Sequence, residues 1–160
     1  MPVLQSKQIA WNRAIPTGSS GVTPVTIIGD YDVPAAGLAL NTIIEMAGIP
    51  PDHVVIGMSL DTSDLDTNGT PLIGLDVGLI SGTYGDATRT PTIGAEFLSA
   101  STIARTGGRV NSALNLAAIL PTQTERGVGV KIQAAAATAA AGTIRLILHV
   151  APVQGPMTYA

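Results

Sequence analysis

The sequence VGVKIQAAAATAAAGTIRLILHV, residues 128–150, is the stretch that decides the fold class. Apolar residues alternate with small or polar residues over positions 128–134, and they alternate again over positions 144–150. A period of two residues is typical of a strand that buries one face. The two ends of the stretch therefore predict half-buried antiparallel strands, with Leu146 and Leu148 in the core.

The run between these two strands, residues 134–141, is alanine interrupted only by Thr138. Alanine has the highest intrinsic helix propensity, but the run has a strand pattern on each side and ends at Gly142. It predicts the end of one strand followed by a hairpin connection. A helix of one or two turns is the alternative.

Two further segments alternate in the same way and are predicted to be half-buried strands. Their regularly spaced apolar residues are Val54, Ile56, Met58 and Leu60 in one segment, and Ile73, Leu75, Val77 and Leu79 in the other. Residues 22–28 and 38–47 are weaker strand candidates. The second also fits a helix, although its β-branched pair Ile43-Ile44 favours a strand. Residues 111–118 fit either a short helix or an extended segment of a long loop.

Turn-forming residues separate these segments at Pro50-Pro51, at residues 61–70 and 81–92, and at Gly107-Gly108. About seven short strands with frequent turns predict an all-β fold, which we expect to be an antiparallel β-sandwich or jelly roll.

The N-terminal 21 residues differ in composition from the rest of the 160-residue chain. They contain the only tryptophan, Trp11, together with a Gly- and Ser-rich segment at residues 18–21. Such termini are loosely held by their own domain and can become ordered on a neighbour. We expect residues 1–21 to form an extended arm that uses Trp11 and Arg13 as interface residues, and residues 22–160 to form a single domain.

The chain carries unusually little charge for its size. Charged residues make up 12% of it, against about 25% in an average protein, and the mean hydropathy is +0.38. Interfaces are depleted in Lys, Glu and Asp but tolerate Arg, and this chain has six Arg and two Lys. The composition indicates a surface that neighbouring subunits cover.

Several function classes are disfavoured by the residues themselves. The net charge is -3 and the basic residues are scattered, so we expect no nucleic-acid partner. No apolar run reaches the roughly 18 residues of a membrane helix, and the N-terminus does not resemble a signal peptide. The absence of cysteine excludes disulfides and thiol chemistry.

The strongest ligand-binding pattern is Asp64, Asp66, Asn68 and Gly69, which matches the first half of a calcium-binding loop. The second half does not match, because Leu75 occupies the position of the bidentate glutamate. An Asx-rich turn whose side chains bond the local backbone is the alternative. Calcium is thus the only candidate cofactor.

Catalytic motifs are missing, so we expect a protein that is not an enzyme. His53 and His149 lack the spacing of a zinc site, and no Gly-x-Ser-x-Gly nucleophile elbow occurs. A carbohydrate-binding or receptor-binding sandwich is an alternative, for which Tyr31 and Tyr84 are the candidate stacking residues. Phe97 is assigned to the core.

Several segments resemble virion proteins of tailed bacteriophages. They are LDTSDLDTNGTP (60–71), LDVGL (75–79), Ser81-Gly82, FLSAST (97–102), Gly107-Gly108 and AATAAAGTI (136–144). The resemblance spans residues 22–152 and implies a capsid-associated β protein similar to head decoration (cement) or minor capsid proteins.

Such proteins often sit on the capsid as trimers and join adjacent major capsid subunits. The resemblance therefore implies the major capsid protein and copies of itself as partners, a homotrimer, and a location in the virion after assembly in the host cytoplasm. A head–tail connector, neck or tail structural protein, which is expected to form rings, is the alternative within this class.

Overall fold

A computed structural model describes residues 4–7, 23–86, 88–112 and 119–153. Apart from one short 3-10 turn, Ile103–Arg105, its regular elements there are nine β-strands: β1 (Leu4–Gln5), β2 (Val25–Val33), β3 (Ile43–Ile49), β4 (His53–Thr62), β5 (Gly74–Ile80), β6 (Leu98–Ser101), β7 (Gly108–Asn111), β8 (Arg126–Ala134) and β9 (Gly142–Pro152). The predicted all-β class is confirmed. Residues 38–47, which fitted a strand or a helix, contribute to strand β3.

The strands form two sheets, with the orders β1-β3-β8-β5-β6 and β2-β9-β4-β7. The antiparallel pairs are nested along the chain: β5 pairs with β6, β4 with β7, β3 with β8, and β2 with β9. This is the arrangement of one long hairpin folded over into two sheets, which is a jelly roll. Strand β1 departs from the antiparallel pattern, because it pairs in parallel with β3.

The core lies between the two sheets. Leu146 and Leu148 are fully buried there, as predicted, and so is Phe97. The alternation expected in β8 and β9 is confirmed by further side chains with 0% exposure: Val128, Val130, Ile132, Ile144 and Val150. Each fully buried aliphatic side chain contributes about 1.5–3 kcal/mol to folding, so the two patterned strands account for a large share of the core.

The alternation predicted for β4 is wrong in its first half. Val55 is buried and Ile56 is 52% exposed, although Ile56 had been grouped with the buried Met58. The reason is a β-bulge between Val55 and Gly57 in the pairing with β9. An extra residue in one strand reverses which side chains face inward. Odd-numbered positions therefore face the core before the bulge, and even-numbered positions face it afterwards.

The alanine-rich run is neither a hairpin nor a helix. Strands β8 and β9 lie in different sheets, so residues 135–141 cross from one sheet to the other. Thr67 N donates to Thr138 O and Ala140 N donates to Leu65 O. These bonds to the neighbouring loop satisfy backbone groups that a helix would have paired internally, which overrides the local helix propensity.

The N-terminal residues that the structure describes lie on the domain itself. Ser6 is fully buried; its backbone N donates to Glu45 O at 2.7 Å and its hydroxyl donates to Met46 O at 2.6 Å. Trp11 and Arg13 lie outside the described residues. The boundary between arm and domain and the interface role of these two residues stay predictions, as does the structure of residues 113–118.

The outer faces of the two sheets differ. Residues 81–86 and 88–90 lie over part of the outer face of the β3-β8-β5 sheet, where Gly85 and Arg89 bond Glu45. Residues 92–97 pair along the edge of β5, as in the bond from Gly94 N to Leu79 O at 3.2 Å. Gly78 permits this close approach, because a Cβ there would lie 2.3 Å from the oxygen of Gly94. Among the described residues, no segment covers the β2-β9-β4-β7 sheet in the same way. That sheet therefore presents an open face.

Candidate interaction surfaces

The predicted calcium ligand Asp66 lies inside the protein, with 1% exposure. Its Oδ2 accepts hydrogen bonds from the backbone N of Leu72, Ile73 and Ala137 at 2.7, 3.1 and 2.9 Å, and its Oδ1 accepts one from Thr138 N at 2.8 Å. Burial opposes ionisation, but the backbone donors outweigh it and hold the pKa of Asp66 well below its ordinary value. Asp66 thus ties two loops together.

Asp64 and Asn68 make the local bonds of Asx turns. Asp64 Oδ1 accepts from Asp66 N at 3.0 Å, and Asn68 Oδ1 accepts from Thr70 N at 2.9 Å. Asn68 Nδ2 also donates to Thr138 Oγ1 at 2.9 Å. Within the described ranges, no group of three or more His, Cys, Asp or Glu residues could hold a metal ion. The calcium site stays a prediction, and the hydrogen bonds are those of the turn alternative.

Four loops meet at one end of the sandwich, and we call this surface the loop end: residues 34–42, 63–73, 102–107 and 135–141. Asp66 joins the second loop to the fourth. Arg105 joins the third loop to the second, because its Nε and Nη2 donate to Ile73 O and Leu72 O at 2.9 and 3.2 Å. These bonds connect three of the four loops, and residues 34–42 approach the fourth, because a Cβ on Gly37 would lie 2.5 Å from Ala139 Cβ.

The loop end carries few charges and exposes two large apolar side chains. Leu40 and Leu72 are 53% and 55% exposed. Further exposed apolar residues of these loops are Pro34, Ala35, Ala36, Ala39, Ala135, Ala137 and Ala141, and the exposed polar ones are Asn41, Ser63, Asp64, Thr67, Asn68, Thr70, Thr102, Thr106 and Thr138. The charged residues of the four loops are Asp64, Asp66 and Arg105, and each is engaged in the bonds described above. Two large exposed apolar side chains on a surface with few charges make the loop end a candidate interaction site.

The open sheet face carries a row of four charged side chains, one on each strand, which we call the charge row. Asp30 pairs in register with Arg145, Arg145 with Asp61, and Asp61 with Arg109. Arg145 Nε lies 2.6 Å from Asp30 Oδ1, and Arg109 binds both oxygens of Asp61 at 2.5 and 2.7 Å. The hydrogen bond from Arg109 holds the pKa of Asp61 below its ordinary value. The signs alternate across the sheet.

A buried ion pair anchors the segment that covers the other sheet. Glu45 on β3 accepts from Arg89 Nη2 at 2.5 Å and from Gly85 N at 3.2 Å. Arg89 also donates to the backbone oxygens of Thr83 and Asp86. Sequence reasoning missed this pair, because residues 45 and 89 are far apart in sequence and no local pattern connects them.

The two candidate sugar-stacking tyrosines lie in different places. Tyr31 on β2 packs against the core. Tyr84 lines an open cavity of about 560 Å³ together with Gly82, Thr83, Thr124 and Glu125. Burial, then the charges of Glu45 and Glu125, raise the pKa of Tyr84 to about 12. The structure does not bring the two rings together into one binding platform.

The two histidines are also apart. His53 is 8% exposed and its Nδ1 bonds Pro51 O at 2.7 Å. His149 lies on the open sheet face, where its Nδ1 is 2.9 Å from Thr26 Oγ1. In the part of the chain that the structure describes, no helix is long and apolar enough to cross a membrane.

No protein-family model matches the sequence, and a search of curated proteins finds no significant match. Three solved structures are similar. A chain from the capsid of Ralstonia phage GP4 has a TM-score of 0.87 and 34% identity, over 96% of this chain and 99% of that chain.

The other two similarities show the fold alone. A chain of the cyanophage Pam1 capsid asymmetric unit has a TM-score of 0.62 and 24% identity, over 88% of this chain and 92% of that chain. A chain from the acidic stable capsid structure of Helicobacter pylori bacteriophage KHP30 has a TM-score of 0.51 and 14% identity, over 82% of this chain and 94% of that chain.

The predicted location in the virion capsid is confirmed by the match to the Ralstonia phage chain. The Ralstonia phage chain is the informative one, because its identity is substantial and almost all of both chains is aligned. This protein therefore belongs to the family of bacteriophage capsid proteins that the GP4 chain represents.

Proposed function

We propose that this protein is a head decoration (cement) subunit, which binds to a tailed-phage capsid and bridges adjacent major capsid subunits. The observation that carries the proposal is the loop end, a surface with few charges and two exposed leucines on a domain of a capsid family. Its role is structural: it adds contacts between shell subunits and carries out no chemical step.

The loop end is suited to docking on the shell for two reasons. Leu40 and Leu72 expose more than half of their surface, so a partner that covers them gains hydrophobic free energy. The bonds of Asp66 and Arg105 already hold three of the four loops together. A preformed surface loses little conformational entropy on binding.

We further propose that copies of this protein form a homotrimer, so that one complex contacts several capsid subunits. The low charge supports this proposal, since 12% charged residues leave much of the surface compatible with burial. Several weak contacts made by one trimer add up to tight attachment through the high effective concentration of the linked copies.

The first experiment separates a decoration subunit from a shell-forming subunit of the same family. The protein is produced alone, examined by light scattering and electron microscopy, and then added to shells assembled from the major capsid protein. We expect a small oligomer that binds the shells and raises the temperature at which they disassemble. Closed shells formed by this protein alone would contradict the proposal.

The second experiment tests the docking surface. Leu40→Asp with Leu72→Asp places two charges on the loop end without altering the core, and we expect it to abolish shell binding while the protein stays folded. Gln123→Asp adds a charge to an exposed position at the opposite end of the sandwich and serves as the control. Equal loss of binding in both variants, or in neither, would argue against the loop end as the docking surface.

A further inference from the structure

We infer that the open face of the β2-β9-β4-β7 sheet is a contact surface for a second copy of this chain. The two copies are related by a two-fold axis that runs parallel to the strands, between β9 and β4. This contact is separate from the proposed docking of the loop end and from the contacts within the proposed trimer, so the two copies that it joins belong to different trimers.

The charge row is the reason for this choice of partner. Across the sheet its order is Asp30, Arg145, Asp61, Arg109. A two-fold rotation about the proposed axis reverses that order in the facing copy. Each Asp30 then lies opposite an Arg109, and each Arg145 lies opposite an Asp61. The row is complementary to itself, which is what a symmetric contact between identical surfaces requires.

The sequence of signs also selects the axis. If the two-fold axis ran along the row instead, each residue would meet its own copy, and four pairs of like charges would face one another. Like charges in facing positions cost free energy, and opposite charges gain it. Only the axis along the strands places an aspartate opposite an arginine at all four positions.

Side chains beside the charge row supply apolar contact area. Ile28 and Ile56 are 49% and 52% exposed. Ile147 pairs in register with both Ile28 and Ser59, so it lies next to the proposed axis, opposite the small Ser59 of the other copy. Sheets that pack face to face lie about 10 Å apart, a distance that these side chains can fill.

The second sheet does not offer an equivalent surface. Part of its outer face lies under residues 81–86 and 88–90, which are anchored there by Glu45 and Arg89. The side chains of the charge row, in contrast, remain accessible, with Arg109 at 60% and Arg145 at 50% exposure. Of the two sheet faces that the structure describes, this one is therefore available to a second copy.

The test uses two variants whose rows have opposite charge. Arg109→Glu with Arg145→Glu makes the row entirely acidic, and Asp30→Lys with Asp61→Lys makes it entirely basic. We expect each variant to bind itself about tenfold more weakly than the wild type, because facing charges now repel. An equal mixture of the two should associate at least as tightly as the wild type, and more weakly as salt is raised.

A fluorescently labelled acidic variant is titrated with unlabelled acidic variant, with the basic variant and with Glu125→Lys. The last is the control, because it changes an exposed charge away from this face. Thermal melts verify that every variant is folded. For a variant that fails to fold, Asp61→Asn and Arg145→Gln replace it, with a smaller expected weakening of self-association. If the acidic and basic variants bind each other no better than they bind themselves, the proposed contact is wrong.

Discussion

Glu45 Oε1 lies 2.5 Å from Arg89 Nη2, in an ion pair whose side chains are 0% and 9% exposed. Glu45 belongs to strand β3, and Arg89 belongs to the segment that covers the outer face of the same sheet. The pair is the point at which that segment is fastened to the sandwich, so its loss should affect folding more than an exposed salt bridge would.

The first prediction concerns this pair. Arg89→Ala leaves a buried carboxylate without its cation, so we expect the free energy of unfolding to fall by about 3–5 kcal/mol. Urea denaturation, monitored by fluorescence, measures this free energy of unfolding. Replacing both partners by apolar residues, as in Glu45→Leu with Arg89→Met, should cost less than the single change. If Arg89→Ala lowers the free energy of unfolding by less than about 1 kcal/mol, as the loss of an exposed ion pair does, the pair does not fasten the segment to the sandwich.

A second prediction follows from the lowered pKa of Asp66. A carboxylate whose folded pKa lies below its unfolded value of about 3.8 stabilises the fold above that value, and the contribution is lost as pH falls through the folded pKa. The wild type should therefore lose stability progressively below about pH 4. Asp66→Asn should already melt earlier at pH 7 and should lose less on acidification. The measurement is the melting temperature between pH 2 and pH 7.

Asp52→Asn, in the exposed turn between β3 and β4, is the matched control for the loss of one carboxylate. If Asp66→Asn and Asp52→Asn melt alike at every pH, the bonds from the two loops to Asp66 do not contribute to stability.

A third prediction addresses calcium. The sequence motif predicts binding by Asp64, Asp66 and Asn68, whereas the hydrogen bonds use both oxygens of Asp66 within the protein. A cation would have to displace these backbone donors, so we expect the same melting temperature in EDTA and in millimolar calcium. A rise with calcium that Asp64→Asn removes would restore the calcium-loop interpretation.

A fourth prediction concerns the place where β2 and β3 approach each other. A Cβ on Gly29 would lie 1.9 Å from the backbone oxygen of Met46, whereas one on Gly69 would meet nothing within 4 Å. Gly29→Ala should therefore destabilise the protein by about 3 kcal/mol or more, or prevent folding, because backbone atoms cannot move aside. Gly69→Ala should stay close to wild-type stability. Soluble yield and denaturation midpoints check both, and similar values for the two would refute the close approach.

The candidate surfaces were predictable from the sequence only in part. Leu40 and Leu72 have no pattern that marks them as exposed, and their position on one surface depends on four loops that are distant in sequence. Asp30, Asp61, Arg109 and Arg145 each occupy an outward position in a strand, but their alignment into a row follows from the pairing register. Register is a property of strand pairs, so no single segment contains it.

The sequence by itself determined what depends on local chemistry. Alternation placed Leu146 and Leu148 in the core, and the Asx residues at 64–68 marked a turn, because side-chain direction and short-range bonds are set by neighbouring residues. Only the tertiary structure decided that Ile56 faces solvent, that residues 135–141 cross between the sheets, and which groups bond Asp66 and Glu45. These depend on backbone and side-chain groups that chain folding brings together from distant positions, where long-range bonds outweigh local preference.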